Sequence, residues 1–247
     1  MLPPVFPDNG DSILKHWTQL GEAAIPNTTE SLLLFRGKDD FYIKISSGGG
    51  ELMSTRKHGS EDALGALPCR RLQNLAAPRV LIGGLGMGFT LAAVLKEVGA
   101  GAEVTVAELV PEVVEWNRGP LGERSGYPLN DPRTIVCVGD VMKLLRSKRN
   151  YYDIIALDVD NGPEGLTKPS NDRLYSEAGI ATAQEALKPD GVLAYWSAGP
   201  DQAFNDRLRR CGLMVEEVTV FAHGNKGARH TIWLAGQSLA PAMRADS

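Results

Sequence analysis

Gly83-Gly84-Leu85-Gly86-Met87-Gly88 follows the apolar run Arg79 to Gly83, and its missing side chains let backbone approach a ligand and allow positive φ. A dinucleotide loop would read G-x-G-x-x-G. Counted from Gly84 the third position falls on Phe89, and counted from Gly83 the second falls on Leu85, which weakens a nicotinamide reading. Gly84-x-Gly86-x-Gly88 instead suits a loop passing beside the nucleoside and amino-acid parts of S-adenosylmethionine (AdoMet), the plainer alternative being a tight turn. Glu108 ends the next apolar run about 20 residues on, where a carboxylate accepts both hydroxyl hydrogens of a ribose. Its alternative is a charge favoured by the dipole of the helix starting near Pro111. Asp140, in Val138-Gly139-Asp140, suits hydrogen bonding to an adenine amino group or capping of the following helix, and different atoms allow both.

The fourth stretch, Asp158-Val-Asp-Asn-Gly-Pro-Glu-Gly-Leu-Thr-Lys-Pro169, puts an acid after another apolar run and then shows neither helical nor strand pattern. Loops of that length in compact domains are often functional lids. An EF-hand is excluded, because position six is Pro163 and position twelve is Pro169. Asp158 or Asp160 could orient an amine nucleophile and take its proton, as general-base catalysis requires within hydrogen-bond reach. The alternative for Asp160 is an Asx-type turn. Tyr175 suits either the pocket or packing. His16, His58, His223 and His230 lack ligand-like spacing and read as surface or packing residues, so no metal site is expected. Arg207, Arg209 and Arg210 read as a solvated helix face.

These residues need elements to hold them at the ends of strands. Beyond Pro78, apolar runs alternate with helical patterns: Arg79 to Gly83 and helix 88–98, Val104 to Glu108 and helix 111–118, Thr134 to Val138 and helix 141–147. Asp153 to Leu157 precedes helix 171–187, Val192 to Ser197 precedes helix 201–211, and Met214 to Ala222 and Arg229 to Ala235 close the pattern as a hairpin. Buried strands alternating with helices predict a doubly wound parallel sheet, because each parallel crossover needs that length. Five such units and an antiparallel C-terminal hairpin give an α/β, Rossmann-like class I methyltransferase layout, whose ligands sit at the carboxyl ends of the strands. Ahead of it, runs 13–20, 31–36, 41–46 and 51–55, broken by Pro-Asn, Gly-Lys-Asp-Asp and Ser-Ser-Gly-Gly-Gly, predict a small antiparallel sheet. Short helices are expected at 61–67 and 70–75. The division is therefore 1–57 small β domain, 58–77 helical connector, 78–237 nucleoside-binding domain and 238–247 loose tail.

With 26 Lys plus Arg against 30 Asp plus Glu, the chain lacks the basic excess of a nucleic-acid binder. Three widely spaced cysteines give neither a disulfide framework nor a zinc motif and fit a reducing cytoplasm. No segment approaches about 18 uncharged apolar residues, and the N-terminus has no signal pattern, so neither a membrane span nor export is expected.

The order of motifs resembles the spermidine synthase family over roughly Ser31 to Ala235: a small N-terminal sheet, a Gly-Gly loop, Glu108, Gly139-Asp140, a strand ending at Asp158, then Gly162-Pro163 and Leu174-Tyr175. The resemblance implies an enzyme, usually a dimer in that family, that moves an aminopropyl group from decarboxylated AdoMet to putrescine. Glu108 would hold the ribose, Asp140 the adenine, and Asp158 or Asp160 the attacking amine. The family's Tyr-His-Glu finds its nearest counterpart in Ser60-Glu61-Asp62, which makes Glu61 and Asp62, with Tyr175, the implied acceptor-binding residues. Where the family loop reads Gly-Gly-Gly-Asp-Gly-Gly, Gly86 replaces the aspartate that binds the aminopropyl ammonium. That change removes both an ammonium partner and a charge that would repel the carboxylate of AdoMet itself. Two further readings stand beside aminopropyl transfer: methylation of a small molecule by AdoMet, and a noncatalytic nucleoside-binding protein on the same fold.

Overall fold

The computed structural model describes residues 17–48, 51–72, 74, 76–158, 172–224 and 226–241, so His16, Asp160 and the last six residues lie outside it. β1 (Thr18–Ala24), β2 (Ser31–Arg36), β3 (Phe41–Ile45) and the two-residue β4 (Met53–Ser54) form an antiparallel sheet in that order. The first strand runs later than the expected 13–20 and continues through Gly21. A Cβ on Gly21 would lie 2.7 Å from Trp116 Nε1, so the missing side chain lets the small sheet rest against that indole.

α1 (Gly59–Cys69) leads into the main unit: β5 (Arg79–Gly83), α2 (Phe89–Glu97), β6 (Glu103–Glu108), α3 (Pro111–Arg118), α4 (Gly122–Ser125) and β7 (Thr134–Val138). Next come α5 (Val141–Arg146), β8 (Tyr152–Leu157), α6 (Asp172–Tyr175), α7 (Glu177–Ala186), β9 (Leu187–Ser197), α8 (Gln202–Arg210), β10 (Met214–His223) and β11 (Lys226–Gly236). The seven-stranded sheet runs β10-β11-β9-β8-β5-β6-β7. Strands β9, β8, β5, β6 and β7 are parallel, and β11 is antiparallel to both its neighbours. Strand order reverses at β5, which pairs with both β6 and β8, and this is the crevice where ligands of such sheets bind.

Three expectations need correction. The described part of 70–75 holds no helix: Arg71 and Leu72 turn back onto the carbonyls of Pro68 and Cys69. The helix expected over 171–187 is two helices, because Ser176 takes extended backbone and its Oγ accepts the Gly179 N–H at 3.1 Å, the capping role serine favours. β9 starts at Leu187 rather than Val192, since Leu187 pairs with Tyr152 before the register slips.

Val80, Leu81 and Ile82 are all buried, as a strand covered on both faces requires. One core layer joins α1, α2 and α3 to the sheet and includes Leu34 and Ile43 of the small sheet, while the other lies under α5, α7 and α8. The small sheet is thereby fixed over the same end of the main sheet as the glycine loop. Gly65 lets α1 approach α2 closely, since a Cβ there would meet Thr90 O at 2.6 Å. Among the described residues, no helix is long and apolar enough to cross a membrane.

Cys69, at the end of α1, is fully buried, and its Sγ–H donates to Gly65 O at 3.3 Å. Burial pushes this thiol up to about 12. Only the thiolate reacts at a useful rate. In the folded protein a maleimide should therefore label the partly exposed Cys137 and Cys211, with Cys69 labelled only under denaturing conditions. Peptide mapping by mass spectrometry checks this, and rapid native labelling of Cys69 would contradict the packing described.

Candidate functional site

A cavity of about 520 Å³ opens between the small sheet and the carboxyl ends of β5, β6, β7 and β8. The small sheet contributes a largely apolar wall that includes Ile25, Leu52 and Met53, and the main sheet contributes Gly86, Glu108, Asp140 and Asp158. Four segments far apart in sequence thus meet at one space.

The glycine loop is shaped by its own backbone. Gly84, Gly86 and Gly88 have φ of +89°, +51° and +84°, the left-handed region glycine enters without steric cost. At Gly88 there is also no room for a side chain, because a Cβ would lie 2.8 Å from Asn117 Oδ1. Asn117, fully buried on α3, donates through Nδ2 to Gly86 O at 2.8 Å and to Val113 O at 2.9 Å. It braces the loop from behind. The sequence signal for it was a lone amide in an amphipathic helix, which by itself names no partner.

Glu108 braces the same loop from the front. Its Oε2 accepts the Leu85 N–H at 2.8 Å and its Oε1 accepts the Val110 N–H at 2.9 Å. Burial pushes this carboxyl above the usual range, opposed by the backbone N–H groups of Val110, Leu85, Gly86 and Leu109. A carboxylate oxygen has more than one acceptor site, so Glu108 can hold the loop and still accept from a ligand in the cavity it lines. Asp140 also lines the cavity and holds backbone. Its Oδ1 accepts the Met142 N–H at 2.8 Å as N-cap of α5, and Oδ2 takes no hydrogen bond among the described residues. Asp158 follows β8. Its N–H donates to Gly83 O at 2.8 Å, and its Oδ2 accepts from Thr90 Oγ1 at 3.3 Å, which ties it to the first turn of α2.

The other sequence candidates lie elsewhere. Tyr175 is buried against Tyr195 and Phe204, with centroids 5.6 and 5.2 Å away, in the second core layer and outside the cavity lining. Glu61 and Asp62 occupy the first turn of α1, also outside that lining, where Asp62 Oδ2 pairs with His58 Nδ1 at 2.8 Å. The His58 pair and Ser60 hydrogen bonds hold this turn, while the His58 ring stacks on Phe89 at 4.0 Å. Met53 and Thr90 were not singled out from sequence, since neither type signals chemistry outside its context. Met53 Sδ would lie 3.3 Å from a Cβ on Gly86, so a thioether fills the space beside the position without a side chain. No group of three or more His, Cys, Asp or Glu among the described residues is placed to hold a metal.

A mostly parallel sheet with its glycine loop and acidic strand ends on one side, and an antiparallel terminal hairpin, defines the architecture of class I AdoMet-type transferases. Within that class the family model for the spermine/spermidine synthase domain matches residues 61–202, and the chain belongs to this family. A polyamine aminopropyltransferase of Korarchaeum cryptofilum is 33% identical over 122 residues, covering 49% of this chain and 36% of the relative. One of Thermotoga petrophila is 31% identical over 129 residues, covering 52% and 40% respectively. The stretches matched therefore span well under half the length of these relatives. A crystal structure of spermidine synthase with the transition-state analogue AdoDATO superposes with a TM-score of 0.70 at 20% identity, over 90% of this chain and 73% of that one. The spermidine synthase of Thermotoga maritima gives the same TM-score at 19% identity, and both likenesses establish the fold.

Proposed function

We propose that this chain transfers an aminopropyl group from decarboxylated AdoMet to a small amine such as putrescine. The observation that carries the reading is the convergence of Glu108, Asp140 and Asp158, from three strand ends, with the glycine loop on one cavity in a chain of this family. Asp140 accepts from the adenine amino group, and the exposed Leu109 offers the base an apolar face. Glu108 accepts from the ribose hydroxyls. The glycine loop lies along the sulfonium side chain, and Asp158 holds the amine in line with the carbon next to sulfur. Rate comes mainly from proximity and orientation, because the sulfonium already carries its leaving group. We also infer a homodimer from the family resemblance, which sedimentation of the purified chain tests.

The deciding experiment incubates the purified chain with decarboxylated AdoMet and putrescine and looks for spermidine by mass spectrometry. Methyl transfer from AdoMet with no aminopropyl product would replace the reading, and donor binding without turnover on any amine would make the protein a noncatalytic binder. The Gly86 position gives a sharper handle. Asp tolerates positive φ better than most residues, and the Met53 thioether that a side chain would press on is flexible. Gly86→Asp should shift preference toward decarboxylated AdoMet over AdoMet by about tenfold, the effect of roughly 1.4 kcal/mol from attracting an ammonium and repelling a carboxylate. Parallel calorimetric titrations with the two donors measure it; an unchanged ratio would place the donor's side chain away from Gly86.

A further inference from the structure

The carboxyl end of β9 and the amino half of the antiparallel β11, beside the end of β8 that leads to Asp158 and outside the cavity lining, carry a polar cluster that the reaction as stated does not use. Trp196 of β9 pairs with Ile232 of β11, so His230, two residues earlier, lies on the same face of the sheet, at its carboxyl edge. The two rings meet edge to face with centroids 4.9 Å apart. The Trp196 indole N–H is more than nine-tenths buried and has no partner among the described residues. Facing this pair is the first turn of α1. There the fully buried Ser60 bonds in two directions, with Oγ 2.8 Å from His230 Nδ1 and 2.6 Å from Glu61 Oε2. The turn is packed on the element that braces the reaction centre, since His58 stacks on Phe89 and the adjacent Thr90 bonds Asp158.

We propose that Glu61, Ser60 and His230 form a relay that accepts the proton the attacking amine must lose, an inference that rests on the aminopropyl-transfer reading. A protonated alkylamine has no lone pair to attack with. With Glu61 ionised, Ser60 Oγ–H donates to Glu61 and His230 Nδ1–H donates to Ser60, which leaves His230 Nε2 as the accepting nitrogen. The ammonium gives a proton to Nε2, the Nδ1 proton passes to Ser60, and the Ser60 proton passes to Glu61. The freed lone pair forms the N–C bond while the C–S bond breaks. Its electrons return to sulfur, which leaves as a neutral nucleoside thioether. The relay ends with a neutral imidazole and a neutral Glu61 carboxyl, so no buried ion pair is left behind. Burial supports this at both ends, lowering the pKa of the His230 imidazole and raising that of the Glu61 carboxyl. The other charged groups of the α1 turn are His58 and Asp62, paired with each other. Val220, paired with His230 from β10, and Trp196 and Ser197 of β9 bring no charge.

The test measures steady-state rates against pH, together with donor affinity, for wild type, His230→Gln, Glu61→Gln and the double variant, each checked for folding by circular dichroism. Each single variant should lose about a hundredfold in turnover with unchanged donor affinity. The double variant should lose little more than the worse single one, because the residues act as one unit. Residual rates should climb about tenfold per pH unit where the wild type has levelled off, since only amine already deprotonated in solution then reacts. A structural role would lower rates without changing that profile. Wild-type turnover and pH profile in His230→Gln overturns the relay and leaves aminopropyl transfer standing. A wild-type chain that binds donor and alkylates no amine overturns the functional reading, and the relay with it. Should either variant unfold, Ser60→Ala interrupts the same path, and its profile decides between the same outcomes.

Discussion

Asp158→Asn should lower turnover about a hundredfold while leaving donor affinity within about twofold, the outcome expected of the proposed role in which the carboxylate serves the amine and not the nucleoside. Its backbone is fixed by the hydrogen bond from its N–H to Gly83 O and its side chain by Thr90 Oγ1, so an asparagine keeps the shape and loses only the charge. The charge matters because a cationic amine must be held close to a sulfonium, two positive groups that repel each other in a cavity with apolar walls. A neutral amide gives the amine a hydrogen bond without offsetting that repulsion. The loss should therefore appear both in kcat and in the KM of the amine, and calorimetry with the donor alone should change little. Full turnover in Asp158→Asn would reduce Asp158 to a brace between β8 and α2. Thr90→Val would then be the informative companion, since it removes that brace and spares the carboxylate.

How far the sequence led follows from the range of each signal. β5, β6 and β8 were legible because buried strands leave unbroken apolar runs, as in Val80-Leu81-Ile82, and because these strands and the edge strand β7 carry a cavity-lining residue at or just past their carboxyl ends. Gly84, Gly86, Gly88, Glu108, Asp140 and Asp158 border one cavity or shape its loop, because all are set by that local rule. What was not legible depends on contacts across distance. Asn117 is a helix residue whose meaning comes from the carbonyl of Gly86, 31 positions away. His230 gains its partner Ser60 across 170 positions, and spacing within β11 could not disclose it. Tyr175 fitted pocket and packing equally in sequence, and the aromatic neighbours that bury it come from β9 and α8. The break at Ser176 shows the remaining gap, a capping residue read as helix interior because the flanking pattern stayed periodic.

Glu108→Gln should weaken donor binding by between about tenfold and a hundredfold and lower fold stability by about 2 kcal/mol, although the substitution is isosteric. Both carboxylate oxygens accept backbone N–H groups, from Leu85 and Val110, so the amide must turn an NH₂ toward one of these donors. A buried donor facing a donor loses the bond and keeps the desolvation cost of both groups. The Leu85 contact belongs to the glycine loop, so the defect reaches the ligand twice: through a displaced loop and through one fewer acceptor for the ribose hydroxyls. The same logic fixes the sign of the pH dependence. Burial raises the pKa of the Glu108 carboxyl, and protonation converts one oxygen into a donor just as the amide does. Donor affinity of the wild type should therefore fall as pH drops through that raised value, while in Glu108→Gln it should be low and flat across the same range. Calorimetric titrations of both proteins over a pH series measure this directly. Parallel curves for the two proteins would mean that another group sets the pH dependence, and undiminished affinity in the variant would remove Glu108 from the ribose site and leave it as the loop's anchor alone.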